Sequence, residues 1–195
     1  MKSVSPSSFQ FSRVVFAVFL TVSSLFLFQC SSVKPGYELL ISVPEQRALL
    51  LYEGESIKTY PVSTSKFGVG NRRGSYRTPV GRFVVGQKIG DRAPRGAVFK
   101  SRRRTGEIMG SKYSGRRDPI TTRILWLDGR ENRTANSFRR YIYIHGTPQE
   151  NLIGLPVSFG CVRMKNRDVI ELYEKLMVGS TVRITTAPLP LPQLP

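Results

Sequence analysis

Apolar positions in this chain fall into short runs broken by turn residues, the rhythm of β-strands. "YELLISV" (Tyr37 to Val43) and "RALLLY" (Arg47 to Tyr52) flank the turn-like "PEQ" and predict a hairpin. "IKTYPV" (Ile57 to Val62) predicts a third strand after the turn "EGES". In the Gly-rich stretch "KFGVGNRRGSYRTPVGRFVVG", Phe83 to Val85 predicts strand. From Gln87 to about Pro119 the periodicity is lost and Gly, Arg and Ser dominate, which predicts a loop of a length that is usually functional or mobile. "RILWLD" (Arg123 to Asp128) and "YIYIHG" (Tyr141 to Gly146) restore strand character through β-branched and aromatic residues.

The period changes in "NRDVIELYEKLMVG". Val169, Leu172, Tyr173 and Leu176 share one helical face, with Asn166 as N-cap, Gly179 as the C-terminal stop and Glu171–Lys175 as an i,i+4 pair. "TVRITT" (Thr181 to Thr186) predicts a last strand, and "PLPLPQLP" a polyproline-type tail. The expectation is a mainly β domain with one clear helix over residues 37–186, a Pro-rich tail at 187–195 and no internal repeat.

The N-terminus differs in kind. Lys2 and Arg13 precede an uncharged apolar run from Val14 to Phe28, shorter than the roughly 20 residues of a spanning helix, which favours an export signal over residues 1–30. The run ends in "LFQC" followed by "SSVKPG", which resembles a bacterial lipoprotein signal with Cys30 lipidated, residues 31–36 forming a short linker. That resemblance implies a periplasmic domain anchored in the cell envelope. A tilted signal anchor and simple secretion remain alternatives, and both also place the domain outside the cytoplasm.

With Cys30 lipidated or removed, Cys161 has no intramolecular partner, so a disulfide framework is excluded and Cys161 is a buried hydrophobe or a reactive thiol. The net charge of +17, from 30 Lys+Arg against 13 Asp+Glu, is concentrated between Lys66 and Arg140 and favours anionic polymers. Export and the lack of a nucleic-acid-binding motif argue against nucleic acid. A solvated loop is the plain alternative for "KSRRRTGEIMGSKYSGRRD".

His145, the single histidine, ends a strand sixteen residues before Cys161. A neutral imidazole beside a thiol can take its proton and stabilise the thiolate, the nucleophilic form. Consecutive backbone amides in "SFGC", with Gly160 permitting a tight turn, could face a tetrahedral oxyanion. One His and one Cys cannot fill the three or four protein positions of a zinc site, so neither metal nor cofactor is expected.

The string "IHGTPQENLIGLPVSFGCVRMKNRDVIELYEKLMVGSTVRI" resembles the YkuD-type L,D-transpeptidase domain, whose signature is a histidine, a spacer and a Ser/Thr-His-Gly-Cys element. His145, Ser158, Gly160, Cys161 and Arg163 match it. Upstream, "LLISVPEQRALLLYEGESIKTYPVST" is similar to the family's opening strands, and "RTPVGRF" (Arg77 to Phe83) to its Thr-Pro-x-Gly-x-Phe element. The resemblance spans about Tyr37 to Thr185.

It implies a β-sandwich-like catalytic fold acting on peptidoglycan stem tetrapeptides. Cys161 would be the nucleophile and His145 its base, with Gly146 orienting the imidazole through its carbonyl. The amides of Phe159, Gly160 and Cys161 would form the oxyanion hole, and Ser158 would fix the loop. Arg163 would hold a substrate carboxylate or anchor the loop, and Tyr143 is a further candidate substrate contact. The acyl acceptor would be another stem or an envelope protein. Phe159 departs from the family, which usually has histidine there. A backbone donor survives that change, but donor specificity and rate come into question. Two other readings stand: an L,D-carboxypeptidase with water as acceptor, and a non-catalytic peptidoglycan-binding module.

Overall fold

The computed structural model describes residues 1, 36–110, 115 and 118–190. The export-signal reading and the last residues of the Pro-rich tail lie outside the described residues.

Ten strands join in one hydrogen-bonded sheet: β1 (Tyr37–Ser42), β2 (Arg47–Tyr52), β3 (Glu55–Pro61), β4 (Gly81–Ile89), β5 (Ala97–Lys100), β6 (Arg103–Ile108), β7 (Ile120–Gly129), β8 (Tyr143–Thr147), β9 (Val162–Lys165) and β10 (Thr181–Thr185). They run in the order β3-β2-β1-β10-β4-β7-β5-β6, with β8 paired to β7 and β9 to β8. The β1–β10 and β8–β9 ladders are parallel and the others antiparallel. The one α-helix among the described residues, α1 (Asn166–Lys175), follows β9 directly and packs against β7, β8 and β9. The mainly β class and the single helix are as expected from the sequence.

Strand alternation sorts the apolar residues into two cores. Leu125 and Leu127 of β7, Ile144 of β8, and Val162 and Met164 of β9 join Val169, Leu172 and Tyr173 of α1 in the main core. Their neighbours in sequence, Ile124, Trp126 and Tyr143, turn to the opposite face and pack with Ala93, Ala97 and Phe99, with Cys161 against them. Each well-buried Leu or Ile in such a core is worth about 1.5–3 kcal/mol of transfer free energy, so β7 and β8 are held from both faces. The chemistry therefore sits on a rigid base.

Four expectations change in the folded chain. The stretch from Gln87 to Pro119 is not a structureless loop, because it contains the end of β4 and the β5–β6 hairpin. All six residues of β6 are exposed, so no buried face marks it in the sequence. Asn166 is the first residue of α1 rather than its cap: Lys165 flanks the helix without a side-chain cap bond, and the Asn166 side chain is buried in other work. Gly179, with φ of +93°, lies beyond the helix end at Lys175 and donates its N–H to Val85. Glu171 takes Lys58 as its ion partner at 2.6 Å, while the Lys175 ammonium lies over the Tyr37 ring.

Candidate active site

The parallel β8–β9 ladder sets the geometry. His145 stands opposite Arg163, so Tyr143 and His145 on β8 and Cys161 and Arg163 on the facing segment project to the same side of the sheet. Cys161 lies two residues before Arg163, level with Tyr143, and its sulfur accepts the Tyr143 N–H at 3.4 Å. Its thiol donates to the Tyr141 carbonyl at 3.3 Å. No hydrogen bond joins His145 to the thiol in this resting arrangement. Catalytic hydrogen bonds are often long or unformed in ligand-free active sites.

His145 is 4% exposed, and its Nδ1 donates to the Gly146 carbonyl at 2.7 Å, which leaves Nε2 without a partner among the described residues. Gly146 is required because an added Cβ would meet Asn166 Oδ1 at 2.5 Å and the Thr121 carbonyl at 2.8 Å. Asn166 is the hub behind the base. Its Oδ1 accepts from the Thr121 and Thr122 hydroxyls, and its Nδ2 donates to the Thr147 carbonyl and the Glu150 carboxylate. Helix α1 thus locks the strand that carries His145.

Two ionisable groups are shifted in ways that bear on chemistry. Burial lowers the His145 pKa, opposed by the nearby Asp118 carboxylate, so the imidazole rests neutral. Burial pushes the Cys161 thiol up to about 11; the Tyr143 N–H and the Arg140 guanidinium pull the other way and Asp118 adds to the rise. The resting pair is neutral thiol and neutral imidazole rather than a preformed ion pair.

The loop before Cys161 is fastened at Ser158 and Gly160. Ser158 is 1% exposed; its hydroxyl donates to the Cys161 carbonyl at 2.6 Å and accepts the Gly160 N–H at 3.2 Å. Its backbone zips to the Thr64 carbonyl and the Lys66 N–H. Thr78 of "RTPVG" donates to the Gly160 carbonyl at 3.1 Å. Gly160 has φ of +116°, a conformation that favours glycine, and an added Cβ would stand 3.3 Å from the Arg77 carbonyl. Of the three amides expected to face an oxyanion, that of Gly160 donates to the Ser158 hydroxyl, whereas those of Phe159 and Cys161 have no partner among the described residues.

Arg163 is 2% exposed. Its Nη1 donates to Asp118, which also accepts from the Thr147 hydroxyl, and to Gln149 at 3.3 Å. Its Nε and Nη2 are buried without partners among the described residues. A substrate carboxylate would have to compete with Asp118 for this guanidinium. Tyr143 is 4% exposed, packs edge-on against Trp126 and gives its backbone N–H to the Cys161 sulfur. Phe159 is 56% exposed, 5.9 Å from the Phe67 ring and 6.2 Å from the Tyr76 ring, with the Lys66 ammonium 4.4 Å above it.

Sequence reasoning missed Asp118, Arg140, Tyr141 and Arg102. Asp118 had a signal, as an acid at the end of a strongly basic stretch. The others had none: Arg102 reaches the Trp126 and Tyr141 rings at 5.0 Å only because the β5–β6 hairpin folds over them. Among the described residues no cluster of His, Cys, Asp and Glu could hold a metal ion.

The family model for the YkuD L,D-transpeptidase catalytic domain matches residues 36–184. A putative L,D-transpeptidase YkuD of Bacillus licheniformis is 30% identical over 151 residues, covering 76% of this chain and 66% of that protein. A probable L,D-transpeptidase YbiS of Escherichia coli K12 is 47% identical over 49 residues, 25% of this chain and 16% of that protein. Among solved structures, L,D-transpeptidase 3 of Mycobacterium tuberculosis, bound to a faropenem-derived adduct, aligns with a TM-score of 0.50 at 18% identity, covering 77% of this chain and 60% of that one. The chain thus spans about two thirds or less of the length of these relatives. Fold, ordered sequence matches and the His–Cys face agree, and the chain belongs to the YkuD L,D-transpeptidase catalytic domain family.

Proposed function

We propose that the protein is a cysteine-dependent cell-wall L,D-transpeptidase that acylates Cys161 with a peptidoglycan stem tetrapeptide and passes the acyl group to an amine. The observation that carries this reading is the parallel ladder that puts His145, with Nε2 open, on the same sheet face as Cys161.

Because the thiol rests neutral, its proton moves to His145 Nε2 as sulfur attacks the carbonyl carbon before the stem's terminal residue. The Phe159 and Cys161 amides receive the developing oxyanion, each such donor being worth about 2.7–4 kcal/mol in the transition state. When the tetrahedral adduct collapses the C–N bond breaks, the leaving amine takes the proton from His145, and a thioester remains on Cys161. An acceptor amine then gives its proton to His145 and attacks the thioester. The C–S bond breaks and the proton returns to sulfur. Gly146 keeps Nδ1 occupied, so that Nε2 is the nitrogen that exchanges protons.

The domain's place is the bacterial envelope, on the periplasmic side, with Cys30 as lipid anchor. That assignment rests on the sequence, and labelling with an alkyne fatty acid in parent and Cys30→Ala cells tests it. For the activity, the test is mass analysis of muropeptides after incubation with parent and Cys161→Ala. Cross-linked dimers that depend on Cys161 are expected. Trimmed tripeptide without dimer would instead make water the acceptor, and no change would leave a binding module.

A further inference from the structure

Beside the thiol lies a cleft of about 220 Å³ built by three chain segments. The loop before β4 contributes Arg73 and Tyr76, the turn before β8 contributes Arg139, Arg140 and Tyr141, and the loop before Cys161 contributes Phe159. Its place relative to the chemistry is fixed twice over, since Tyr141 supplies the carbonyl that holds the thiol and Phe159 stands two residues before it. A larger cleft of about 400 Å³ uses the same loop but none of the residues around the thiol.

The charge in the smaller cleft is one-sided. None of its lining residues is acidic. Some arginines elsewhere in the chain have carboxylate partners: Arg82 and Arg133 share Glu131, and Arg95 reaches Glu150. Arg73 and Arg139 are exposed and have no carboxylate partner among the described residues. Arg140 is partly buried, and its guanidinium is braced on the Gly70 and Arg77 carbonyls at 3.2 and 2.7 Å, again without a carboxylate. Burial lowers its pKa, and the Cys161 sulfur works against that fall. A partly desolvated guanidinium without a counter-ion favours an anion that arrives with the substrate.

We propose that this cleft is a carboxylate subsite of the acyl donor, in which Arg73 and Arg139 clasp a carboxylate of the stem peptide while Tyr76 and Phe159 cover its aliphatic part. The proposal rests on the reading that the substrate is a stem peptide. Arginine suits the task because its planar fork meets a carboxylate with two parallel hydrogen bonds. Arg140 supplies fixed charge from behind, and its braced geometry leaves the clasp to the two exposed side chains. The carboxylate can be the terminal one on the leaving residue or one carried within the stem, and both present the same chemistry.

The test is calorimetric titration of the full-length Cys161→Ala chain in detergent with three peptides: the tetrapeptide acid, its C-terminal amide, and the form amidated at its internal carboxylates. One of the amidated peptides should bind at least about tenfold more weakly than the acid, the loss expected for a charged hydrogen-bonded contact, and which one identifies the carboxylate. Arg73→Gln and Arg139→Gln should weaken the acid peptide comparably and leave that amidated peptide unchanged, which also reports that the variants are folded. Equal binding of all three peptides, equal weakening of all three by the variants, or no binding would overturn the subsite. Intact mass of the parent with the acid peptide separates this from the reaction itself. Arginine-dependent binding without an adduct would retire acyl transfer and keep the subsite, and an adduct with carboxylate-independent binding would do the reverse.

Discussion

His145 and Phe159 stand on segments that meet at the same thiol, yet one is 4% exposed and the other 56%. Around His145 hydrogen bonds tie the elements to one another: Gly146 holds Nδ1, Asn166 ties α1 to β7 and β8, and Asp118 joins Arg163 to Thr147. Around Phe159 the side chains are aromatic or cationic, and they touch one another without closing. The difference is one of task. The floor keeps two reacting groups in fixed register, and the mouth is left open for something that arrives. A change in the floor should cost stability or chemical rate, whereas a change in the mouth should alter which peptide is handled.

The largest expected effect is on the floor. Asp118→Ala strands the Arg163 guanidinium in a buried site, and urea unfolding should show a loss of about 3–5 kcal/mol, the cost of breaking a buried ion pair. Adding Arg163→Met should return part of it, because the uncompensated charge is gone. A loss below about 1 kcal/mol would mean that the floor is no more constrained than the mouth.

Next comes the turn that joins the two regions. Gly160→Ala places a Cβ at a φ of +116° and 3.3 Å from the Arg77 carbonyl, so the turn must shift and misaim the neighbouring amides. Acylation by a carbapenem should slow by about 10²-fold or more, in line with the loss of one oxyanion donor. Rates within a factor of about three of the parent would show that the Phe159 and Cys161 amides do not serve this role.

A smaller effect lies in pH. His145 acts as a base only when neutral, and burial sets its pKa below the ordinary 6.5. Acylation should therefore keep its rate as pH falls to 6.5 and decline only below that. Alkylation of Cys161 by iodoacetamide should rise towards a pKa of about 11 in the parent and shift higher still in Arg140→Gln, which removes a cation that favours the thiolate. An alkylation midpoint near the ordinary thiol value would contradict the neutral resting pair.

Much of this contrast was legible in the sequence, but unevenly. β1, β2, β7 and β8 carry β-branched or aliphatic runs, and α1 carries a clean helical stripe, so period alone finds them. The hairpin of β5 and β6 escapes, because β5 has only four residues and β6 is exposed throughout with Gly106 in its middle. At the site, His145 and Cys161 were marked by rarity and by the surrounding motif. Asn166 was not, and Asp118 was marked only as an acid in a basic stretch, since each works through partners 16 to 45 residues away that only the folded register brings close. Asn166 is instructive: its side chain suits an N-cap, and tertiary contacts took it for the hub instead.

The smallest expected effect belongs to Phe159 itself. Phe159→His restores the family residue on an exposed ring, and the backbone amide stays where it is. Acylation should stay within about threefold of the parent, and stability within about 0.5 kcal/mol, as for other surface substitutions. A gain of tenfold or more would show that the mouth contributes to chemistry and that the division drawn here is too sharp.

The central claim is that the neutral pair on the β8–β9 face performs acyl transfer on sulfur. Intact mass of the full-length chain after incubation with a stem tetrapeptide tests it directly, in the parent, Cys161→Ala and His145→Ala. The expected result is an added mass equal to the tripeptide acyl group in the parent, mapped to Cys161, absent in Cys161→Ala and formed at least about 10²-fold more slowly in His145→Ala. An unmodified parent, or an adduct that persists in Cys161→Ala, would contradict it.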